Sequence, residues 1–275
     1  MTLQWYPGHM TRGRRELTAL MPSQDVVVEV LDARLPAASS NPLIAEIRRD
    51  KPCIKVLTKS DLADPEVTRA WIEYFQAGNV KAIASTTDRP ADTRKRVMQL
   101  CAGMALHRGA DKKVRALIAG CPNVGKSTLI NTLVGRNVAK TGDKPAVTKD
   151  QQLLTLPNGM TLVDTPGLMW PKIEDEQGAF RLAFAGSIPS TAIDYLQIGM
   201  FGADYLLRRY PELILARFKF AQLPRDAETL LFEIGKRRGG LRAGGTVDLH
   251  KAAEHLVNDF RSGIIGAISL EAPPR

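Results

Sequence analysis

The stretch Gly120 to Thr128, GCPNVGKST, has the residue types and spacing to hold a phosphate chain. It fits G-x-x-x-x-G-K-[ST], with Gly120, Gly125, Lys126 and Ser127 at the required places. Glycines there let the backbone N–H groups around Asn123, Val124 and Gly125 curl about an anion, and the helix that follows aims its partly positive N-terminus, through Thr128, at the same charge. Lys126 reaches the β and γ phosphates, and the Ser127 hydroxyl is a ligand for Mg²⁺. An ordinary glycine turn is the plainer reading of the same string. A second stretch, TKSD (Thr58 to Asp61), can read a base. A carboxylate at Asp61 accepts from both N1–H and the exocyclic amino group of guanine, adenine has no N1–H to offer, and the stem of Lys59 lies along the base plane. A helix N-cap at Ser60 or Asp61 is the alternative. Thr58 stands where Asn is commoner, so the amide that bonds the base and braces the phosphate loop is expected to be missed, at some loss of affinity. A third stretch, DTPG (Asp164 to Gly167), offers a carboxylate to hold Mg²⁺ through water and a Gly167 amide for the γ phosphate. Thr148 in PAVTK is the candidate loop threonine for Mg²⁺, with Thr141 as its competitor.

These stretches need strands to carry them. The run 25–32, DVVVEVLD, is nearly all β-branched, as in a strand buried on both faces of a parallel sheet. It leads into DARLPAASSNP, with Asp32 and Arg34 at the carboxyl edge where such sheets bind ligands. A short helix (42–49) precedes a second strand (53–57) that runs into TKSD. A helix (65–76) and a third strand (80–84) follow, the latter ending at Ser85 and Thr86, where a backbone amide meets the guanine O6. A helix over 91–106 carries Arg94, Lys95 and Arg96 as a solvated face, and 107–113 reads as a linker. The strand 114–119 delivers the phosphate loop, and a hairpin of 151–156 and 160–163 delivers DTPG. Residues 172–275 read as helices, with Asp226 and Asp248 as N-caps and Gly263 as a stop. The expected architecture is an α/β P-loop domain over 1–172 with a mostly parallel sheet, then an all-α helical domain over 173–275.

Composition bounds the partners. The chain has 275 residues and a net charge of +9. Residues 1–171 hold 24 Lys and Arg against 16 Asp and Glu, whereas 172–275 hold 14 against 13. That excess is more than one triphosphate needs, which points to RNA. Within the helical half, Lys236, Arg237, Arg238 and Arg242 form the best candidate patch for a phosphate backbone, although cations also complement a helix C-terminus. No apolar run approaches the roughly 18 residues of a membrane helix, and the start resembles no signal or transit peptide. A cytoplasmic protein with no membrane span and no DNA partner is expected. The cysteines, Cys53, Cys101 and Cys121, lack metal-type spacing and read as buried or incidental thiols.

The order of the motifs is unusual, because TKSD precedes the phosphate loop. The chain therefore resembles the circularly permuted GTPases. The opening WYPGHM, then DARLPAASSNP, GCPNVGKST, PAVTK, DTPG and the closing DFRSG with ISLE make it similar to the ribosome biogenesis GTPase A family, YlqF or RbgA in bacteria, with mitochondrial relatives. The resemblance implies GTP/GDP and Mg²⁺ as ligands, hydrolysis stimulated by ribosomal particles, and the large ribosomal subunit with its rRNA as partner. Leu168 follows DTPG where many GTPases place a water-orienting Gln. Resemblance implies that His9 of WYPGHM takes that task, a role to which an imidazole is suited; His9 packed beside Trp5 and Tyr6 is the structural alternative. Asn123 resembles the asparagine of potassium-activated GTPases, which makes K⁺ a further expected ion. The break in the permuted chain falls just after the γ-phosphate loop, so release of 164–172 on hydrolysis is expected to swing the helical domain. Two rivals stand beside this reading: an RNA scaffold that keeps GTP as a ligand, and an ATP-dependent kinase on the same loop.

Overall fold

A computed structural model describes residues 8–105, 113–139, 152–167, 169, 175–189, 194–238 and 246–274, with side chains from residue 13 onward. Six strands form one sheet: β1 (Val26–Asp32), β2 (Cys53–Thr58), β3 (Val80–Ala84), β4 (Arg115–Gly120), β5 (Gln152–Thr155) and β6 (Thr161–Asp164). Their order is β3-β2-β1-β4-β6-β5. Every pairing is parallel except that of β5 with β6, the expected hairpin. The chain runs outward from β1 through β2 to β3, then returns to place β4 on the other flank of β1. The loops after β1 and β4 thus open at a topological switch point, the place where such sheets bind ligands.

β1 is the centre of the sheet because its side chains suit nothing else. Val26, Val27, Val28, Val30 and Leu31 are all fully buried, each worth about 1.5–3 kcal/mol relative to exposure. They alternate between faces as a period of two requires. Val26, Val28 and Val30 join Val97 and Cys101 of α5 (Pro90–Met104) and Leu129, Ile130 and Leu133 of α6 (Lys126–Val134). Val27 packs with Leu17 of α1 (Gly8–Leu20) and Ile44 of α3 (Pro42–Arg48), while Leu31 packs with Trp71 of α4 (Pro65–Phe75). Glu29, the charge in the middle of β1, sits in register with Lys55 of β2 and pairs with it, and also accepts from Ser40 and Asn41.

The sequence reading passed over one short helix and left another without bounds inside its helical half. α2 (Pro36–Ser39) is a single turn inside DARLPAASSNP, and α7 (Glu176–Ala185) opens the helical region on an Asp175 cap. α8 (Tyr195–Arg209), α9 (Pro211–Phe218), α10 (Ala227–Arg237) and α11 (Leu249–Arg261) follow, with Asp194, Asp226 and Asp248 accepting at their N-termini. Gly263 at φ 75° closes α11 as expected. On α8, Ile198, Ala203 and Leu206 are buried in the same apolar cluster as Phe184, Leu256 and Phe260, and that cluster is continuous with the Val26 face of the sheet.

Beyond α11 the chain turns back onto the sheet's loops. Ile268 N donates to Leu62 O at 2.9 Å and Leu270 N to Arg34 O at 2.6 Å. The buried Glu271 carboxylate accepts from the amides of Ala37 and Ala38 at the start of α2. Among the described residues no helix is long and apolar enough to cross a membrane. The three cysteines are buried and unbridged, and burial pushes the thiols of Cys53 and Cys101 up to about 12.

Candidate active site

The phosphate loop leaves β4 at Gly120 and re-enters helix at Lys126. Gly125 holds φ 93° at the N-cap of α6, a left-handed conformation that a Cβ disfavours, and a side chain there would press within 3.1 Å of Thr58 Oγ1. Gly167 meets the loop from the other side: a Cβ on it would lie 3.1 Å from Pro122 N. Bare backbone is what allows the ends of β2, β4 and β6 to converge. Thr165 ties the third of them down, its hydroxyl donating to Ile118 O at 2.8 Å.

At the metal end the electrostatics are unbalanced. Asp164 is 1% exposed, and among the described residues neither carboxylate oxygen has a well-formed hydrogen bond, the neighbouring Thr165 backbone N–H giving only weak support. Burial pushes its carboxyl up to about 6, against the opposing pull of the Lys126 ammonium. Lys126 is buried in turn, and desolvation lowers its pKa although Asp164 resists the shift. An anionic acceptor held dry beside the phosphate loop fits Mg²⁺ bound to triphosphate, since that ion takes few protein ligands and keeps waters. Ser127 lies half-buried in the first turn of α6, and Thr128 is exposed. Thr148, Thr141 and Leu168 lie outside the described residues; His9 belongs to α1, but its side chain lies outside them too.

The base end is assembled by the protein's own bonds. The Thr58 hydroxyl contacts Val124 O in the phosphate loop and Leu31 O at 2.9 Å. The brace expected to be lost with the missing Asn is therefore present, because a β-branched hydroxyl at a strand end reaches the neighbouring loop directly. Lys59, at φ 55°, donates from Nζ to Asn123 O at 2.6 Å and to Asp32 Oδ2 at 2.8 Å. Ser60 donates from its amide and its hydroxyl to Ser85 O at 3.2 and 3.0 Å, so TKSD and the Ser85–Thr86 loop are bonded neighbours. Asp61 lies exposed in the turn between them. The helix that follows is capped by Asp64, not by Ser60 or Asp61.

Three other expectations change. Asp32 and Arg34 do not line the ligand edge but are buried in an ion pair with each other. Arg94 is not purely solvated, since its Nε donates to Thr132 O at 2.9 Å. The basic cluster at the end of α10 is exposed but partly tied to the fold: Arg237 donates to Phe218 O and Lys219 O and covers the Phe220 ring, while Arg238 shares Asp259 with Arg217. Arg242 lies outside the described residues. Sequence reasoning had no signal for the reach of Asn123 Nδ2 to Gly186 O, 2.9 Å, which joins the phosphate loop to the end of α7.

The chain is similar in sequence and fold to known proteins. A profile of the 50S ribosome-binding GTPase family matches residues 115–196. The ribosome biogenesis GTPase A of Bacillus pumilus is 39% identical over 99% of both chains, and that of Thermotoga maritima is 30% identical over 98% of this chain and 95% of its own. A GDP-bound structure of YlqF, 28% identical, superposes with a TM-score of 0.69 over 94% of this chain and 99% of the other. The GNP-bound YlqF of T. maritima gives 0.68 over 95% and 98%.

Proposed function

The chain belongs to the ribosome biogenesis GTPase A family, and from that premise we infer that it acts in late maturation of the large ribosomal subunit, in the cytoplasm, through contacts with rRNA. It is a GTP-binding ribosome assembly factor and a GTP-hydrolysing enzyme. The observation that supports the reading most is the bonding of TKSD to the phosphate loop, Thr58 to Val124 and Lys59 to Asn123, which makes one pocket from two fragments in permuted order. Within it Asp61 and Lys59 take the guanine, the Ser85–Thr86 loop its O6, and Asn123 to Thr128 with Gly167 the phosphates. Ser127, Thr148 and Asp164 would hold Mg²⁺, which when bound would offset charge on the phosphate oxygens.

The chain's own contribution to hydrolysis is positioning and charge. The buried Lys126 ammonium neutralises developing charge in a site from which water is largely excluded, where such an interaction is strong. His9 orients the attacking water. Turnover of the protein alone is slow and rises on ribosomal particles. His9→Ala should lower particle-stimulated turnover by about 100-fold, while GTP affinity changes less than about threefold; unchanged turnover removes His9 from the chemistry. Potassium is a further proposed activator acting through Asn123, and equal rates in K⁺ and Na⁺ would dismiss it.

We also propose that residues 1–172 and 173–275 respond to the nucleotide as two units, the second moving when the γ phosphate leaves 164–172. Cosedimentation with large subunits in a non-hydrolysable GTP analogue but not in GDP supports the whole reading. Equal cosedimentation in both states sinks the coupling.

A further inference from the structure

Asp32 and Arg34, both buried, and the half-buried Lys59 form a chain of charge for which GTP hydrolysis gives no immediate reason. Asp32 ends β1 with its carboxylate fully buried. Its Oδ1 accepts from Arg34 Nε at 2.9 Å and from Arg34 N at 3.1 Å. Its Oδ2 accepts from Arg34 Nη2 and from Lys59 Nζ, both at 2.8 Å. Burial alone would raise this carboxyl; the charges of Arg34 and Lys59 overcome that and hold it well below the usual carboxylate range. For stability alone the pair is a poor choice, because two apolar side chains of similar volume hold such a corner as well or better. What the ions add is geometry.

That geometry has two ends. At one, Lys59 grips Asn123 O in the phosphate loop. At the other, Arg34 Nη1 donates to Phe260 O at 3.4 Å, and the guanidinium lies 4.8 Å over the Phe260 ring at the end of α11. Phe260 stacks on Phe184 of α7, centroid to centroid 4.3 Å. Arg261 fastens the same corner, donating to Ala183 O at 2.7 Å and Phe184 O at 3.0 Å. From there the chain returns to its start, since Gly186 O accepts from the Asn123 side chain. The phosphate loop, the base-reading lysine, the buried pair, α11 and α7 form a closed ring of contacts, and the tail reinforces it where Leu270 N meets Arg34 O.

We propose that Asp32 and Arg34 are positioning residues which set Lys59 against the phosphate loop and carry the nucleotide state of that loop to the C-terminal turns of α11 and α7. The proposal rests on the nucleotide reading of the site. Occupancy of the loop fixes Asn123, Asn123 fixes both Lys59 and Gly186, and the packed aromatic corner between them tightens. Arg suits the inner position because its planar fork takes both carboxylate oxygens while its face stacks on a ring, which Lys does not do.

The test uses the full chain with GDP and with a non-hydrolysable GTP analogue. Affinity, melting temperature and hydrogen exchange of 182–186 and 256–262 are measured for wild type, Arg34→Met, Arg34→Lys and the double variant Asp32→Leu/Arg34→Met. Wild type should show nucleotide-dependent slowing of exchange in both segments. Arg34→Met should lose that slowing in 256–262 while affinity falls about threefold, and Arg34→Lys should recover it only in part. The double variant removes both buried charges and should melt at or above wild type, yet bind GDP about tenfold more weakly because Lys59 has lost its carboxylate. A double variant with restored melting and wild-type affinity would make the pair merely structural and overturn the proposal, as would unchanged slowing in Arg34→Met. Wild type that binds guanine nucleotides with no slowing overturns the relay and leaves the GTPase reading standing; wild type that binds none overturns both.

Discussion

At the proposed guanine end of the site, Thr58 and Lys59 are bonded to the phosphate loop and Ser60 to Ser85, all by the protein's own groups. At the proposed metal end, Asp164 has, among the described residues, no well-formed hydrogen bond to either buried oxygen and lies beside a buried Lys126. The base loops only have to recognise, so they can be preassembled at no conflict with the fold. The proposed metal end would have to bind and then release a cation and a phosphate, a task that charges satisfied from within would not suit. Buried charge short of hydrogen bonds favours ligand binding there, and it lowers the stability of the ligand-free protein.

Replacing Asp164 tests this contrast most severely. Asp164→Asn should reduce GTP turnover by at least about 100-fold, yet stabilise the protein without nucleotide. The carboxyl titrates near 6 in the fold and near 3.8 unfolded, so its protonated form favours folding. That contribution is fully present below pH 3.8 and is lost as pH rises through about 6. At pH 8 the variant should therefore gain about 2 kcal/mol, roughly 5 °C in melting temperature, and the gain should vanish by about pH 4. A variant that melts lower at pH 8 breaks the contrast between the two ends.

The base end should respond with selective loss of affinity. Asp61→Asn removes a charged acceptor and should weaken GTP by about 30-fold, near 2 kcal/mol, with ATP binding unchanged. Competition titrations measure it, and an equal fall for both nucleotides would remove Asp61 from base reading. The smallest effect belongs to the brace. Thr58→Val keeps the shape and loses the hydroxyl, so GDP affinity should fall about fivefold, roughly 1 kcal/mol. No change would mean that backbone packing alone holds β2 against the phosphate loop.

Much of the pocket was legible because its parts are local. Each motif sits at the end of an apolar run, and DVVVEVLD, CIKVLT and RALIAG form adjacent parallel strands as their composition demands. The parts that escaped are those whose meaning depends on distant neighbours. Arg34 reads as an edge residue until α11 arrives over it, and Arg237 reads as a phosphate ligand until the end of α9 presents its carbonyls. ISLE carries no strand or helix signal at all, and its role as a tie to Leu62 and Arg34 exists only once the chain has folded back.

Sequence alone determined the chemistry on offer: which residue types follow which strands, and that the base-reading motif comes before the phosphate loop. Strand order, with β2 and β4 flanking β1, is what brings TKSD, the phosphate loop and DTPG to one edge. Tertiary structure decided where the charges are used. A charged side chain has the same type in solution and in a core, but its partner, its pKa and its work are set by what desolvates it, and desolvation is a property of the assembled whole.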